Sequence, residues 1–496
     1  MPLTLTRAAT VLSLSQLAAE AEGPAGGSPQ PPKGMLSTPD KAVRDVAACA
    51  SLLPLYSFPS ADGFQAKRVR SFGSFQDLAA AGSGASAVPD VDDGAGSDEE
   101  VLSLDGTASS GASDAGQVVP QRSVLDALLL GEWEDRAEAG LFRYDVTACP
   151  TKLVPGAYGF IAQCNEGRLS KKRPTEFRID QVAQDFDDGK FNFKKALQKE
   201  VLFMFEPAPF RISKPSFQPA VAPRTSPNLV FINVSPIEYG HVLLVPRALD
   251  NLPQLVGPDT LLLALQFARE ADNPYFRLAF NSLGAYGTIN HLHFQAYYLA
   301  APFAMERAPT APLNLLALER AAAAAAATQE VAGIDCEPCA APPAAPAFAS
   351  IPSVPGKARR RASGVRVERL LEYPVRTLVF EAGDSLAELA ELVGTACQRL
   401  TAANVPHNFF IADCGARVFL FPNCFAEKKA LGLIPEDVLE SQVDPAAWEI
   451  AGHIVLKRQQ DYDEVTQESA WRLLELASCS EQRFAEVARV ALDGLL

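Results

Sequence analysis

Residues 281–299, NSLGAYGTINHLHFQAYYL, contain the pattern that decides the fold. Successive side chains of a β-strand point to opposite faces, so a strand here has one polar face and one apolar face. The polar face carries His291, His293, Gln295 and Tyr297. The chain has only 5 histidines in 496 residues. Two of them in phase with a glutamine therefore indicate a reactive surface on one side of this strand.

A glycine-bearing turn precedes the histidines. Asn281, Ser282 and Gly284 stand at its start, and Gly287 stands near its end. Because glycine has no Cβ, its backbone can approach an anion closely. We therefore predict that Asn281, Ser282 and Gly284 bind substrate or phosphate.

The histidine pair admits three interpretations. The two residues could be ordinary polar side chains on the exposed face of a strand, which is the commonest origin of an HxH pattern. They could be a zinc pair, with His241 or a cysteine as the third ligand. They could also serve nucleophilic catalysis at a phosphorus atom, in which an imidazole attacks and later leaves again.

In the third interpretation His293 is the nucleophile, flanked in phase by His291 and Gln295 and supported by His291 and His241. Its ring must be neutral, with one nitrogen free and the other donating its proton to a fixed acceptor such as a backbone carbonyl. Gln295 would donate a hydrogen bond to a non-bridging phosphate oxygen. A neutral amide cannot act as a general acid, which favours a leaving group that needs no proton, such as a sugar phosphate.

The segments around the histidines predict an α+β fold with an antiparallel sheet. Apolar runs at 201–205, 228–234 and 240–245 indicate strands, and the short connection between the last two makes them a hairpin. Helical spacing at 259–268 indicates a helix before a strand at 277–281. Residues 375–422 again contain a strand, a helix and a hairpin, which indicates a duplicated domain.

Composition divides the chain into four segments. Residues 1–120 are rich in Ala, Ser, Gly, Asp and Pro, and we predict a disordered acidic tail. Residues 121–300 form the catalytic half. Residues 301–368 are rich in Ala and Pro, and we predict a disordered insertion that is partly helical at its alanine run. Residues 369–496 form the second half, which ends in amphipathic helices.

Basic residues cluster in two places. Arg168, Lys172 and Arg173 lie in a turn-rich stretch that could hold a phosphate or a nucleotide, although such a run is more often a solvated loop. The patch KARRR at 357–361 is either a nuclear-import signal or a solubilising run. Nearby, Cys336 and Cys339 form an isolated CxxC pair, which is a weak indication of zinc.

Charge, cysteine content and hydropathy exclude several classes of protein. The net charge of −15 argues against a general nucleic-acid binder, which needs a basic footprint. No apolar stretch is long enough to span a bilayer, so we expect no membrane partner. The 9 cysteines follow no regular framework and indicate reduced thiols. We therefore expect a cytoplasmic protein, with a nuclear fraction if the KARRR patch is an import signal.

Several motifs resemble a known family. The segments PIEYGHVLLVP at 236–246, 281–287 and HLHFQ at 291–295 resemble the histidine triad superfamily, in the HxHxQ form of its nucleotidyltransferase branch. The segments KKRPTEFR at 171–178, INHLHFQAYY at 289–298 and AEKKALG at 426–432 are similar to the GDP-L-galactose phosphorylases of plants and green algae. The resemblance covers residues 123–300 and 373–492, and it implies a duplicated histidine-triad-like fold.

The resemblance implies a specific reaction. His293 would attack the α-phosphorus of GDP-L-galactose, release L-galactose 1-phosphate and carry GMP, which inorganic phosphate then takes to give GDP, in a step toward ascorbate. The expected partners are a GDP-hexose and inorganic phosphate, with no cofactor and no resident metal. A homodimer is compatible with this function, but the sequence does not fix the oligomeric state.

Two alternatives to this function stay open at the level of sequence. The chain could be a GDP-D-glucose phosphorylase or a nucleotide hydrolase of the same superfamily. It could also be a nucleotide-binding regulator without catalysis, in which the acidic tail and the KARRR patch serve partners or nuclear entry.

Overall fold

The computed structural model describes residues 52–59, 123–168, 176–208, 214–332 and 364–496, with the backbone alone at 325–332. In chain order its strands and helices are β1 (Leu53–Phe58), α1 (Val124–Glu138), β2 (Thr151–Leu153), β3 (Ile161–Cys164), β4 (Val201–Pro207), β5 (Ser216–Val221), β6 (Leu229–Ile232), β7 (Val242–Val245), α2 (Pro258–Ala271), β8 (Phe276–Asn281), β9 (Phe294–Tyr298), α3 (Ala304–Arg307), β10 (Thr310–Pro312), α4 (Leu315–Ala332), β11 (Arg366–Leu370), β12 (Leu378–Glu381), α5 (Leu386–Ala402), β13 (His407–Ala412), β14 (Arg417–Pro422), α6 (Phe425–Ala430), α7 (Glu436–Glu440), α8 (Ala447–Ala451), β15 (His453–Leu456), α9 (Gln459–Glu464), α10 (Gln467–Ala477) and α11 (Glu481–Leu492).

A 12-stranded sheet dominates the described residues, in the order β10-β11-β12-β14-β13-β8-β9-β7-β6-β4-β1-β5. Its neighbours run antiparallel except for the parallel pair of β1 and β4. A second sheet, in the order β15-β3-β2, has 3 strands. The predicted α+β class with an antiparallel sheet is confirmed.

The large sheet contains the same unit twice. In the first repeat, β7, α2, β8 and β9 follow one another in sequence, and β9 inserts between β7 and β8. In the second repeat, β12, α5, β13 and β14 do the same, and β14 inserts between β12 and β13. The repeats join edge to edge, with Asn408 of β13 opposite Asn281 of β8, and their helices α2 and α5 pack together. The duplication is therefore built into one continuous sheet.

The two faces of the large sheet carry different layers. The side chains of Phe294, Ala296 and Tyr298 join a core formed with α1, α2, α5 and α11. Tyr297, which points the other way, joins a second core with the small sheet, α8 and α10. The alternation predicted for this strand is present from Phe294 onward. The polar positions in phase with Tyr297 therefore face the side covered by the small sheet and α8.

Two segments predicted as disordered contain ordered elements. Strand β1 lies inside the predicted tail, and it is ordered because it pairs with β4 and β5 and because Tyr56 and Phe58 are buried in the first core. Residues 301–332 lie inside the predicted insertion, and α4 contains the alanine run at which a helix was predicted. The same residues also form α3 and β10, since Phe303 and Met305 fill the second core and α4 packs on α11. A composition averaged over long windows hides such short apolar groups.

Residues 1–51, 60–120 and 333–363 of these two segments lie outside the described residues, and they include the cysteine pair at 336 and 339 and the KARRR patch. Lys172 and Arg173 also lie outside the described residues. All described residues belong to one compact unit, and the predicted boundaries at 120, 300 and 368 stay predictions. Among the described helices, none is both long enough and apolar enough to cross a bilayer.

Candidate active site

The histidine segment precedes a strand instead of lying within it. Strand β9 begins at Phe294, so the predicted strand start at His291 is wrong by three residues. The reason is that β7, the neighbour on that side, begins its antiparallel pairing with β9 only at Phe294, opposite Leu244. Before that point the extended chain pairs with a loop, and Leu292 N–H donates to the Leu252 carbonyl at 2.8 Å.

The side chain of Gln254 takes the place of the missing strand partner. Its Oε1 accepts from His293 N–H at 2.9 Å, and its Nε2 donates to the carbonyl of His293 at 3.2 Å. The same Nε2 donates to the carbonyl of Asn281 at 3.1 Å. Gln254 is 1% exposed, so these bonds have little competition from water. One buried amide therefore fixes the backbone of His293 relative to the end of β8.

The ring of His293 has a defined tautomer. Its Nδ1 lies 2.9 Å from the carbonyl oxygen of His291, which can only accept, so Nδ1 carries the proton. Burial lowers the pKa of His293 to about 4, although the bond to His291 acts in the opposite direction. Near neutral pH the ring is therefore uncharged, and its Nε2 has a free lone pair. His293 is also one of the residues that line a cavity on this face of the sheet.

His291 does not line this cavity. Its Nδ1 accepts from Phe193 N–H at 3.1 Å, and its ring lies between those of Phe186 and Phe193, at centroid distances of 5.4 and 5.5 Å. Burial lowers its pKa to about 3. The ring of Phe193 also lies 5.2 Å from the ring of His293. His291 therefore supports Phe193, which lines the cavity beside His293.

Gln295 lines the cavity next to His293, and Trp448 orients its amide. Trp448 Nε1–H donates to Gln295 Oε1 at 3.4 Å. His241 lies close to the Gln295 side chain; its Nδ1 accepts from Ile237 N–H at 2.8 Å, and its Nε2 is 3.2 Å from Asn233 Nδ2. Because Trp448 donates to the Gln295 oxygen, the NH₂ group of Gln295 is the part that can donate to a ligand in the cavity.

Asn281 offers a second amide to the cavity. Its Oδ1 accepts from Asn408 Nδ2 at 2.6 Å and from Ala447 N–H at 3.0 Å. The NH₂ group of Asn281 is therefore the part that can donate to a ligand. Asn408 Oδ1 in turn accepts from Asn423 Nδ2 at 2.9 Å. The second repeat therefore holds the orientation of a first-repeat side chain through a chain of buried amides.

The remaining predicted site residues occupy different positions. Arg168 lines the cavity, and its Nη1 donates to the Ser235 carbonyl at 2.8 Å. Ser282 and Gly284 are buried and do not line it, and Ser282 Oγ accepts from His407 N–H at 3.1 Å. His241 is fully buried behind Gln295. The structure thus brings together four predicted residues on one cavity: Arg168, Asn281, His293 and Gln295.

The sequence did not reveal the contribution of the second repeat and of Gln254. Trp448 and Lys457 line the cavity, and Asn408 stands behind Asn281. Their positions depend on the pairing of β8 with β13 and of β3 with β15, for which no local pattern gives a signal. The zinc interpretation finds no group of three or more His, Cys, Asp or Glu side chains arranged for a metal in the part of the chain that the structure describes.

The fold and the site of the described residues define a class of protein: two fused βαββ repeats in one mainly antiparallel sheet, with a histidine–glutamine site in the first repeat. Residues 124–297 match the family model "GDPGP1-like, N-terminal domain", and residues 349–495 match "GDPGP1-like, C-terminal domain". The chain belongs to this GDPGP1-like family.

Two relatives illustrate the range of the family. GDP-L-galactose phosphorylase 1 of Arabidopsis thaliana is 50% identical over 380 residues, which cover 76% of this chain and 75% of that protein. GDP-D-glucose phosphorylase 1 of Homo sapiens is 30% identical over 394 residues, which cover 76% of this chain and 85% of that protein. A solved structure of a yeast Ap4A phosphorylase is 11% identical, covers 72% of this chain and 97% of its own, and has a TM-score of 0.41.

Proposed function

We propose that this chain is a GDP-L-galactose phosphorylase, which transfers GMP from GDP-L-galactose to inorganic phosphate through a guanylyl-histidine at His293. The observation that carries the proposal is the state of the His293 ring: Nδ1–H is held by the His291 carbonyl, and the uncharged ring lines the cavity beside Gln295. The identity of 50% to a GDP-L-galactose phosphorylase, against 30% to a GDP-D-glucose phosphorylase, supports the choice of hexose.

The reaction needs no proton transfer to or from the protein. His293 Nε2 attacks the α-phosphorus, a P–N bond forms, and the P–O bond to the β-phosphate breaks, so that the hexose 1-phosphate leaves with the electron pair. The ring then carries a positive charge, which the Nδ1–H bond to the His291 carbonyl stabilises. Phosphate attacks the same phosphorus, the P–N bond breaks, and its electron pair returns to Nε2. Nδ1 keeps its proton throughout.

The two cavity amides suit the charge that develops in this reaction. The NH₂ groups of Gln295 and Asn281 can donate to the non-bridging oxygens of the α-phosphate, and their oxygens are already occupied by protein donors. Fixed donors need no reorganisation when charge builds up. Since an amide is not an acid, the pair stabilises charge but cannot protonate a poor leaving group.

The proposed reaction is tested with GDP-L-galactose in the presence and absence of phosphate. We expect GDP and L-galactose 1-phosphate with phosphate, and at most one equivalent of L-galactose 1-phosphate without it, together with GMP bound to His293 by mass spectrometry. The variant His293→Ala should lose turnover by at least about 10³-fold and form no adduct. His407→Ala serves as a control for loss of a buried imidazole, because His407 does not line the cavity.

Two outcomes distinguish the alternatives. Equal GMP release with and without phosphate would favour a nucleotide hydrolase. GDP binding without turnover of GDP-L-galactose, GDP-D-glucose or GDP-D-mannose would favour a regulator. Turnover by His293→Ala within a few-fold of the wild type would remove His293 as the nucleophile.

A further inference from the structure

Lys457 brings a positive charge from the second repeat into the cavity of the first. It follows β15 directly, and β15 pairs in parallel with β3, with Leu456 opposite Cys164. The pairing continues for one step, since Asn165 N–H donates to the Leu456 carbonyl at 2.8 Å. This register places Lys457 beside the turn that carries Arg168, and both residues line the cavity with His293.

Lys457 and Arg168 are near enough to act on each other. Burial lowers the pKa of Lys457, nearby Asp444 and Glu449 raise it, and the positive charge of Arg168 lowers it further. Arg168 also lowers the pKa of His241, which stands behind Gln295. Two like charges in a partly buried place repel each other, and Asp444 and Glu449, which line the same cavity, offset part of this repulsion. A bound anion between the two cations would offset it further.

The carboxylates near Lys457, Asp444 and Glu449, line the same cavity, and each also has a partner of its own. Asp444 Oδ1 accepts from Lys429 Nζ at 2.8 Å, and Glu449 Oε2 accepts from Ala446 N–H at 3.1 Å at the start of α8. Lys457 Nζ donates to the Gln442 carbonyl. An ammonium has three N–H donors, so the bond to Gln442 leaves Lys457 able to donate to a ligand.

We propose that Lys457 and Arg168 together bind the inorganic phosphate that accepts GMP from His293. This inference rests on the proposed function. The acceptor phosphate becomes the β-phosphate of GDP, so it must occupy the position that the β-phosphate of the GDP-hexose occupied before. One cationic site therefore serves both half-reactions. In the second, a phosphate oxygen bonds to the α-phosphorus while the P–N bond breaks and its electron pair returns to His293 Nε2.

The site also explains why phosphate would be preferred to water as the acceptor. Two cations attract a phosphate dianion and do little for a neutral water molecule. Loss of one cation should therefore weaken phosphorolysis and leave hydrolysis of the guanylyl-histidine unchanged. The ratio of GDP to GMP formed from the same intermediate measures this preference directly.

The test uses the full chain and three variants: Lys457→Gln, Lys457→Arg and Lys428→Gln. Lys428 is a matched control, since it is also half-buried in the second repeat but does not line the cavity. The guanylyl-enzyme is formed with GDP-L-galactose, freed of excess substrate, and mixed with increasing phosphate. The half-saturating phosphate concentration and the GDP to GMP ratio are then measured. Neither quantity depends on how much of the sample is folded.

We expect Lys457→Gln to raise the half-saturating phosphate concentration roughly ten- to a hundred-fold, which is the effect of losing one charge-assisted hydrogen bond. The GDP to GMP ratio at fixed phosphate should fall with it. Lys457→Arg should restore most of the affinity, and Lys428→Gln should behave as the wild type. A half-saturating concentration for Lys457→Gln within two-fold of the wild type would overturn the proposal, as would an equal loss in Lys428→Gln. Failure of the wild type to form the guanylyl-enzyme would instead count against the proposed function.

Discussion

At the scale of single residues, the position of His293 depends on an amide that takes no part in the chemistry. Gln254 bonds to both the N–H and the carbonyl of His293, as a strand partner would, and it also ties His293 to Asn281. Since a displacement of about 1 Å can cost about a hundred-fold in rate, we regard Gln254 as a positioning residue.

The variant Gln254→Glu tests this role. A carboxylate keeps the shape and can still accept from His293 N–H, but it faces two carbonyl oxygens to which it cannot donate. We expect kcat to fall roughly ten- to a hundred-fold, with KM for GDP-L-galactose within a few-fold of the wild type. Gln398→Glu, an exposed position on α5, is the control. An effect on thermal stability alone, with unchanged kcat, would reduce Gln254 to a structural residue.

The sequence predicted the principal cavity residues but not what holds them. His293 and Gln295 were predictable because side chains two residues apart in an extended chain lie on the same face. This relation does not depend on how the strand pairs with its neighbours. Gln254, Trp448 and Asn408 were not, because each reaches the site through a loop or through pairing with a distant strand. In addition, His291 and Ser282 looked equivalent to their neighbours in the sequence, yet their hydrogen bonds turn them away from the cavity.

At the scale of elements, the turn between β8 and β9 is closed by close backbone contact. Gly287 N–H donates to the Ser282 carbonyl at 2.8 Å. A Cβ at Gly287 would lie 2.7 Å from the carbonyl oxygen of Asn281 and 2.8 Å from that of Ser282. These oxygens belong to backbone fixed by β8 and cannot move aside. A glycine is therefore required here for close approach.

Gly287→Ala should consequently destabilise the protein by about 1–3 kcal/mol and reduce activity, because the displaced turn carries Asn281 with it. Gly364→Ala provides the comparison, since its Cβ would have no neighbour closer than 3.7 Å. Thermal melting and kcat/KM are measured for both. Equal melting temperatures for the two variants would show that the turn adapts.

The sequence predicts an element best when the signal lies within the element itself, as a helix cap does. Ser385 caps the start of α5, because its Oγ accepts from Glu388 N–H at 3.2 Å. Strand β1 has no such local signal, because its six residues form a strand only by pairing with β4 and β5. The physical difference is that a helix cap is satisfied within one turn, whereas a strand needs its partners.

At the scale of the whole molecule, burial lowers the pKa of every histidine in the chain. The affected residues are His241, with a pKa well below its usual value, His291 and His453 at about 3, and His293 and His407 at about 4. In the unfolded chain each would titrate near 6.5. At pH values between the lowered pKa values of the folded protein and 6.5, the folded protein therefore binds fewer protons than the unfolded chain.

Stability should thus fall as the pH drops below about 6.5, because protons bind preferentially to the unfolded chain. Between pH 7 and 5.5 most carboxyl groups are ionised in both states, and only buried ones with a raised pKa, Glu206, Glu270 and Asp413, act in the opposite direction. We therefore expect the melting temperature to decrease steadily, with uptake of up to five protons on unfolding. Differential scanning calorimetry across this range measures the slope. A melting temperature that is constant from pH 7 to 5.5 would contradict the burial of these rings as neutral groups.

Because the two repeats join edge to edge, the active site cannot be transferred to another protein, or recognised in one, from the first repeat alone. The amide of Gln295 is oriented by a tryptophan 153 positions further along the chain, and Asn281 by an asparagine 127 positions away. A short histidine motif grafted onto another scaffold would lack both partners. Protein engineers who wish to transplant the site must therefore carry the second repeat with it, and searches for functional relatives should require both halves.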